Sequence, residues 1–431
     1  MAASSKLANG RPSRPLRVGL IGATGYGFAY YEELTKLVQA GLVEWGAATI
    51  INPQDAPVPM QFFRANKVPV YDDYQKMLDA EADNLDWLCI PTAISWHETM
   101  AVDSLQRGVP VLLEKPMAPT LQGVAAIKAA EKASGLPVAI GFQHVYGRDT
   151  IAIKQRFLDG EIGELRKIES FGLWPRNTEY YERNNWAGKI RDNKGWVLDS
   201  PLHNALSHMV NMILYFAGPS LQERADVVAM EAELYRSKPI ENFDTVRCIG
   251  NLDTGIQASL ILSHGSMHRI DPEIRIHGTK GVYTWRFGGS HSLEVNGGIE
   301  RIQTMDNLHV RAQMFEKVVR LISGEPGVDY CSTQHAEGEV KWVNAVQDTT
   351  PVHTVPKAFC RRLTDEHGDV FDSLHDLEYY ALRSYHEGRS FAELDAPWAV
   401  EPGFRDLTGY TAFEGCHFQQ KEEQAPVEST S

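Results

Sequence analysis

Residues Leu16 to Gly27 read LRVGLIGATGYG, and this stretch decides the fold. Its first half, LRVGLIG, is a continuous apolar run of the kind found in strands buried on both faces. Its second half is a glycine-rich turn. Residues 28–41 follow with helical spacing, Leu34, Leu37 and Val38 being apolar. A strand, a glycine turn and a helix open a βαβ unit. Glycines at such a turn let the backbone approach a pyrophosphate, and the helix N-terminus faces its charge. The usual spacing is GxGxxG. Gly22 and Gly27 fit its first and third positions, Thr24 takes the second, and Gly25 is displaced by one.

Outward from this turn, strands and helices alternate. EWGAATII (residues 44–51) reads as a strand stopped by Asn52-Pro53, and a short helix is expected over 72–80. LDWLCIP, VPVLLEKP and LPVAIGF read as further strands, with helices over about 95–107 and 119–134 between them. This alternation predicts right-handed crossovers and a parallel sheet. Such domains often carry a carboxylate at the end of the second strand, bonded to the ribose. Here Asn52 stands there, with no carboxylate to repel a 2′-phosphate and no arginine close behind to attract one. The choice between NAD and NADP therefore stays open. Asn52 either bonds ribose hydroxyls or caps the Asn-Pro turn.

After about residue 142 the pattern changes. KIESFGLWP, DTVRCIGNL, GIQASLILSHG, EIRIHG and GVYTWRF alternate like strands of an antiparallel or mixed sheet with one exposed face. GNLDTGIQ and GTKGVY carry hairpin-turn chemistry. The division expected is a polar tail over 1–16, a dinucleotide-binding domain over 17–141, a second domain over 142–400, and an extension over 401–431 whose end is disordered.

At 431 residues, two domains are the natural expectation. The formal charge of −14, without basic clusters, argues against nucleic acid and anionic membranes as partners. The five cysteines form no CxxC pair and read as free thiols, and no metal site is expected. The polar N-terminus lacks the apolar core of a secretory signal, and no later run is long enough to span a membrane. A cytoplasmic location is the default expectation.

Two stretches of the second half carry chemistry. LDSPLHNALSHMVNMILYFAG has helix punctuation: Ser200 as N-cap, Pro201 as first residue, Gly218 as terminator. Asn204, His208 and Asn211 would then form a polar stripe at i, i+4 and i+7 on an otherwise apolar helix. Upstream lies WPRNTEYYERNNWAGKI. Flat aromatic faces with guanidinium and amide donors suit a carbohydrate pocket, so Trp174, Arg176, Tyr180, Arg183, Asn185 and Trp186 are candidate substrate residues.

With the Glu114-Lys115-Pro116 triplet, the chain resembles the Gfo/Idh/MocA family, the glucose–fructose oxidoreductase and inositol dehydrogenase group. The likeness covers about residues 17–400 and rests on seven pieces in order. They are VGLIGATGYG, IPTAISWHETMAVDSLQRGVPVLLEKPMA, AIGFQHVYGRD, GEIGELRKI, HMVNMILYFAG, EIRIHGTKGVYTW and VNAVQDTTPVHTVP, with the EKP triplet inside the second. The resemblance implies a Rossmann domain followed by an α/β domain with a large, mostly antiparallel open sheet, and a homodimer or homotetramer built through that sheet. It implies hydride transfer between NAD or NADP and a sugar, cyclitol or related polyol. Redox-assisted glycoside cleavage or elimination with tightly bound NAD, and a cofactor-dependent sensor without catalysis, are the rival readings.

The resemblance sets Lys115 beside the nicotinamide and the reacting hydroxyl, where an ammonium stabilises developing alkoxide charge. Glu114 orients Lys115 or contacts the cofactor. Thr92, His97 and Gln143 match positions near the cofactor, with a structural role for His97 equally open. The family places an aspartate four residues before a histidine and a glycine ten after it. Gly218 is ten after His208, so the aspartate falls on Asn204, a departure. A rival frame pairs Asp199 with His203. The Asn204/His208 frame is preferred because Asp199 precedes the expected helix start, and His203 is placed with the substrate residues. In this frame His208 accepts the proton, and Asn204 orients the histidine or the substrate.

Overall fold

The structure is a computed structural model that describes residues 14–418. Most of the polar tail, and the end expected to be disordered, lie outside the described residues.

Eleven elements make the first half: β1 (Leu16–Ile21), α1 (Tyr26–Gln39), β2 (Val43–Thr49), α2 (Pro57–Ala65), β3 (Val70–Tyr71), α3 (Tyr74–Glu81), β4 (Trp87–Ile90), α4 (His97–Gln106), β5 (Val111–Leu113), α5 (Leu121–Ser134) and β6 (Val138–Ile140). The six strands are parallel in the order β3-β2-β1-β4-β5-β6. The order reverses between β1 and β4, which opens a crevice at their carboxyl ends where open α/β sheets bind ligands. The apolar runs become strands because both faces are covered: Val18, Leu20, Trp87, Leu88 and Leu112 are all fully buried. Helix α1 starts at Tyr26, earlier than the apolar spacing suggests. The Gly27 N–H bonds the Thr24 carbonyl and the Phe28 N–H bonds that of Gly25, so the first turn closes on the glycines themselves. The sequence left 53–71 unassigned. It holds α2, whose prolines sit at the start where a missing N–H costs nothing, and the edge strand β3.

The second half continues with α6 (Arg148–Leu158), β7 (Leu165–Leu173), α7 (Thr178–Glu182), α8 (Ser207–Ala217), β8 (Val227–Arg236), β9 (Thr245–Leu252), β10 (Gln257–Ser263), β11 (Ile270–Gly278), β12 (Gly281–Arg286), β13 (His291–Val295) and β14 (Gly298–Ile302). There follow α9 (Asn307–Ile322), α10 (Thr333–Thr349), β15 (His353–Thr354), β16 (Cys360–Thr364), β17 (Val370–Leu374), α11 (Leu377–Glu387) and β18 (Gly403–Asp406). The large sheet runs β14-β13-β12-β11-β7-β10-β9-β8-β15, with β18 also paired to β8. Its pairs are antiparallel except β7–β10 and β8–β15, so the sheet is mixed and mostly antiparallel. Both expected hairpin turns form, β9–β10 around Gly255 and β11–β12 after Gly278.

Alternation along these strands separates two faces. Ile168, Met230, Ala232, Ala258 and Leu260 point to a core continuous with that of the first domain. Helix α10 seals the junction: Asn344 Oδ1 accepts the Leu121 N–H at 2.9 Å, and Lys128 pairs with Glu337 at 2.8 Å. Phe171, Leu173, Tyr235 and Ile261 point the other way, into a smaller core completed by Leu374, Leu377, Phe391 and Trp398. The sheet is open, as expected, but the face expected to be exposed is covered over β7, β8 and β10 by the chain's own residues after 355. The extension drawn from residue 401 is, over its described residues, likewise part of this domain, because β18 pairs with β8 and Phe413 packs edge to face on Trp196. No helix among the described residues is long and apolar enough to cross a membrane. Among the same residues no group of His, Cys, Asp and Glu is placed to hold a metal ion, and all five cysteines are unpaired.

Candidate functional site

The glycine turn has the form an anion needs. Gly22 and Gly25 have φ of +88° and +55°, which side-chain-bearing residues rarely adopt. A Cβ on Gly27 would lie 2.5 Å from the Gly22 carbonyl oxygen, so this glycine lets the helix approach the strand end. A Cβ on Gly25 would meet nothing within 4 Å, so the space before the helix is clear. Helix α1 has no side-chain cap and no acidic residue in its first turn, which leaves its N-terminal donors for a phosphate. Thr24 is exposed at the tip of the turn. Thr92 follows β4, its methyl 3.9 Å from where a Gly22 Cβ would stand. Asn52 is exposed at the end of β2 and makes no side-chain cap; only its carbonyl bonds the Asp55 N–H. Its amide is thus unspent, as contact with a ribose requires. Gln143 is buried, and its Oε1 accepts from the Tyr26 hydroxyl at 3.2 Å, across from the turn.

His97 is structural. Its ring is fully buried, with Nδ1 2.7 Å from the Pro116 carbonyl and Nε2 3.1 Å from that of Thr92. Burial pushes its pKa down to about 4, so the ring is neutral and donates to one of the two. No nitrogen remains for a cofactor. The histidine instead ties the segment after β4 to the segment after β5.

Lys115 stands at the carboxyl end of β5, ahead of a cis bond to Pro116. Glu114 is buried. Its carboxyl group accepts the Lys115 N–H at 2.8 Å and the Tyr30 hydroxyl at 2.9 Å, so it holds the lysine's backbone rather than its ammonium. The ammonium donates to the Asn204 carbonyl at 2.8 Å. Burial lowers its pKa, and the carboxylates of Glu114, Glu339 and Asp199 oppose that shift. This is a desolvated cation held charged by acids around it.

The 200–218 segment departs from expectation at its start. Ser200 does cap, its Oγ accepting the His203 N–H at 3.3 Å, but residues 200–206 form turns and α8 begins at Ser207. The cause is competition for a carbonyl. In a helix from Pro201 the Asn204 oxygen would accept the His208 N–H; here it accepts Lys115 Nζ and, also at 2.8 Å, the Ser207 hydroxyl. The polar stripe is broken in consequence. The Asn204 amide donates to Asp199 Oδ1 at 2.8 Å and to the Tyr180 hydroxyl at 3.2 Å, so it is spent away from His208 and does not orient it. Asn211 is buried, its Oδ1 without a partner.

His208 is partly accessible. Its ring is clamped edge to face between Phe142, at 5.6 Å, and His144, at 5.0 Å, and its buried Nδ1 has no partner. Burial, then the charges of His144 and Lys115, hold its pKa well below the ordinary histidine value. A neutral imidazole with its orientation fixed by packing is the result. His203 is sealed instead: fully buried, with Nδ1 3.1 Å from Glu339 Oε1. It lines no substrate surface, contrary to the sequence-based placement. Asp199, its partner in the rival frame, does reach the site, bonded to the Asn204 amide and to the Gly188 N–H at 2.6 Å. The carboxylate absent from position 204 is thereby present beside it.

The aromatic loop forms a cation–π stack. The Arg183 guanidinium lies 3.8 Å from the Tyr180 ring centroid and 5.7 Å from that of Trp186, and the Arg176 guanidinium lies 4.6 Å from the Tyr180 centroid. Tyr180 joins this stack to Asn204. Trp174 is tied to Asp271 at 2.7 Å, and Asn185 is exposed. Tyr26, Tyr30, His144 and Glu339 escaped the sequence. His144 alone had a signal, because it directly follows Gln143.

Comparison with known proteins places this geometry among relatives. Residues 16–142 match a family model described as the Gfo/Idh/MocA oxidoreductase family, NAD-binding Rossmann fold, and 150–284 match the Gfo/Idh/MocA C-terminal domain. The chain is 25% identical over 224 residues to a dTDP-3,4-didehydro-2,6-dideoxy-alpha-D-glucose 3-reductase of Streptomyces antibioticus, covering 51% of this chain and 62% of that protein. It is 30% identical over 149 residues to an inositol 2-dehydrogenase of Klebsiella pneumoniae, covering 34% of this chain and 43% of that one. The chain thus spans about half the length of the curated relatives it matches. The fold is similar to that of an inositol dehydrogenase homolog complexed with NAD+ from Azotobacter vinelandii, with TM-score 0.67, 15% identity, and coverage of 79% of this chain and 98% of that one. A dehydrogenase of Bordetella pertussis in complex with NADH and UDP-GlcNAcA gives TM-score 0.64 at 19% identity, covering 78% of this chain and 98% of that one.

Proposed function

Because the chain belongs to the Gfo/Idh/MocA family of oxidoreductases, we propose that it transfers a hydride between NAD or NADP and a hydroxyl carbon of a sugar, cyclitol or related polyol. The observation that carries this reading is the half-buried Lys115 ammonium, at the carboxyl end of a parallel strand, acting on a neutral, ring-clamped His208. The cofactor, when bound, supplies the hydride acceptor or donor. Gly22, Gly25, Gly27 and the N-terminus of α1 would take its pyrophosphate, Asn52 would bond its ribose, and Thr92 and Gln143 would contact it nearer the nicotinamide.

In the oxidation direction the Lys115 ammonium stabilises the negative charge that grows on the substrate oxygen. His208 is neutral and accepts the hydroxyl proton. Asn204 positions Lys115 through its carbonyl, and its amide holds the Asp199 carboxylate beside it. The Tyr180, Arg176 and Arg183 stack offers a flat face and donors to the rest of a polyol. The reading includes a cytoplasmic homodimer or homotetramer, which sedimentation would check. The test of function is a screen of cyclitols, sugars and sugar derivatives for nicotinamide reduction with each cofactor. Substrate-dependent reduction is expected, lost in Lys115→Met while cofactor binding is kept. Cofactor binding without turnover of any compound would contradict the reading.

A further inference from the structure

Leu198, in the segment before α8, is fully buried and has φ of +53°, in the left-handed region that a leucine rarely adopts. Strain of this kind persists only where the surroundings over-determine it, and it collects at working sites. Here the surroundings are backbone. The Val197 and Leu198 N–H groups both bond the Ile190 carbonyl, and the Asp199 N–H bonds that of Lys189. The residue that follows the strained leucine is Asp199, which is buried.

A buried carboxylate is costly unless donors hold it. Asp199 Oδ1 accepts the Asn204 amide at 2.8 Å, and Oδ2 accepts the Gly188 N–H at 2.6 Å. Position 188 requires glycine: its φ is +69°, and a Cβ there would lie 2.9 Å from side-chain atoms of Ile240 and Tyr181. Both carboxylate oxygens are therefore spent on neutral donors. The bonds lead on to Lys115, because Asn204, held by its amide, gives its carbonyl to the ammonium at 2.8 Å. That carbonyl is free for the lysine only while residues 200–206 stay out of the helix. A side chain tied back to residue 199 keeps Asn204 in that turn.

Resting on the reading of Lys115 as the group that stabilises the substrate oxygen, we propose that Asp199 is its positioning residue: Asp199 holds Asn204 in the turn whose carbonyl grips the ammonium, and its charge balances that of the lysine. With both oxygens spent, it acts through Asn204 rather than on the substrate. The arrangement depends on the amide at position 204, since an aspartate there would repel Asp199 instead of binding it.

The lysine itself provides the readout. Lys115 faces Glu114, Glu339, Asp199 and Arg183, and its charge acts on His97 and His208. Lysines of the full chain are dimethylated with 13C-formaldehyde and a reductant. The Lys115 methyl signal, assigned by its loss in Lys115→Met, is then titrated by NMR without cofactor. Asp199→Asn removes the charge and keeps the bonds, because the Asn204 amide can turn over and accept. It should lower the Lys115 pKa by about one unit and leave Tm little changed. Asp199→Ala and Asn204→Ala remove the hold. Each should cost about tenfold in kcat at a pH where Lys115 is charged, measured on the same hydroxyl compound as Lys115→Met, with KM for NAD little changed. The double variant should cost no more than either single one. An unmoved Lys115 titration in Asp199→Asn, or costs that add in the double variant, would overturn this proposal alone. Near-normal turnover in Lys115→Met would overturn the reading of Lys115 and this proposal together.

Discussion

The two segments that carry the candidate catalytic groups are built by opposite means. Lys115 ends a strand buried on both faces, and its neighbours are tied to backbone: Glu114 to the lysine's own N–H, His97 to the Pro116 carbonyl. His208 opens a helix whose first turn gave up its regular bonds, and its ring is oriented by Phe142 and His144 with Nδ1 unpaired. One group is fixed by hydrogen bonds and the other by packing. The difference teaches that a catalytic pair need not share a scaffold, provided each member has one orientation. It also separates what perturbation should do at each side.

The largest effect expected is at the lysine. Lys115→Met should lower kcat by about 10²-fold or more while the Kd for cofactor changes little, because the lost term is charge stabilisation at the reacting oxygen. Near-normal turnover in a folded variant would remove the hydrogen-bonded side from the chemistry.

Acid comes next, and it strikes both sides. His97 and His144 have folded pKa values of about 4, depressed by burial from the ordinary value near 6.5. A depressed value means the unfolded chain takes up the protons first. Stability from these groups is therefore present above about pH 6.5 and falls as the pH drops toward 4, by about 1.4 kcal/mol per unit for each group. Denaturation at stepped pH should show a slope of this sign, smaller by about 1.4 kcal/mol per unit in His144→Phe. A slope unchanged in that variant would mean His144 is not held neutral.

Asn204→Asp distinguishes the observed turn from a regular helix. In a helix the new carboxylate would face His208, raise its pKa and move the acid limb of the rate profile upward. In this structure it would face Asp199 at 2.8 Å, and two carboxylates cannot both ionise there cheaply. The expected outcome is a loss of about tenfold or less in kcat/KM at neutral pH that recovers as the pH falls. A shifted acid limb without that recovery would favour the helical register. The smallest effect is at Asn52. Asn52→Asp should weaken NADP a few-fold more than NAD, since a carboxylate near a 2′-phosphate repels it across solvent. Equal effects would take Asn52 away from the ribose.

These regions also differ in how far the sequence reveals them. The run LRVGLIGATGYG announces its strand, turn and helix because two-sided burial demands an apolar run and the close approach at Gly27 demands a glycine. The 200–218 segment misleads because its helix start is decided by a lysine 89 residues away that takes the Asn204 carbonyl. No local propensity encodes that bond. The sealing of His203 by Glu339, 136 residues distant, is hidden for the same reason. The cover over the large sheet escaped too, since Phe391 and Trp398 sit in a stretch with few regular elements.

Which histidine takes the proton is the central question, and parallel pH–rate profiles of wild type, His208→Ala and His203→Ala on one substrate and cofactor address it most directly. His208 should impose an acid limb of kcat/KM below the ordinary histidine value, because burial and Lys115 favour its neutral form. His208→Ala should abolish that limb and most of the activity, whereas His203→Ala should lower Tm and leave the limb in place. An acid limb that survives in a still active His208→Ala enzyme would contradict the assignment and move the proton to another group.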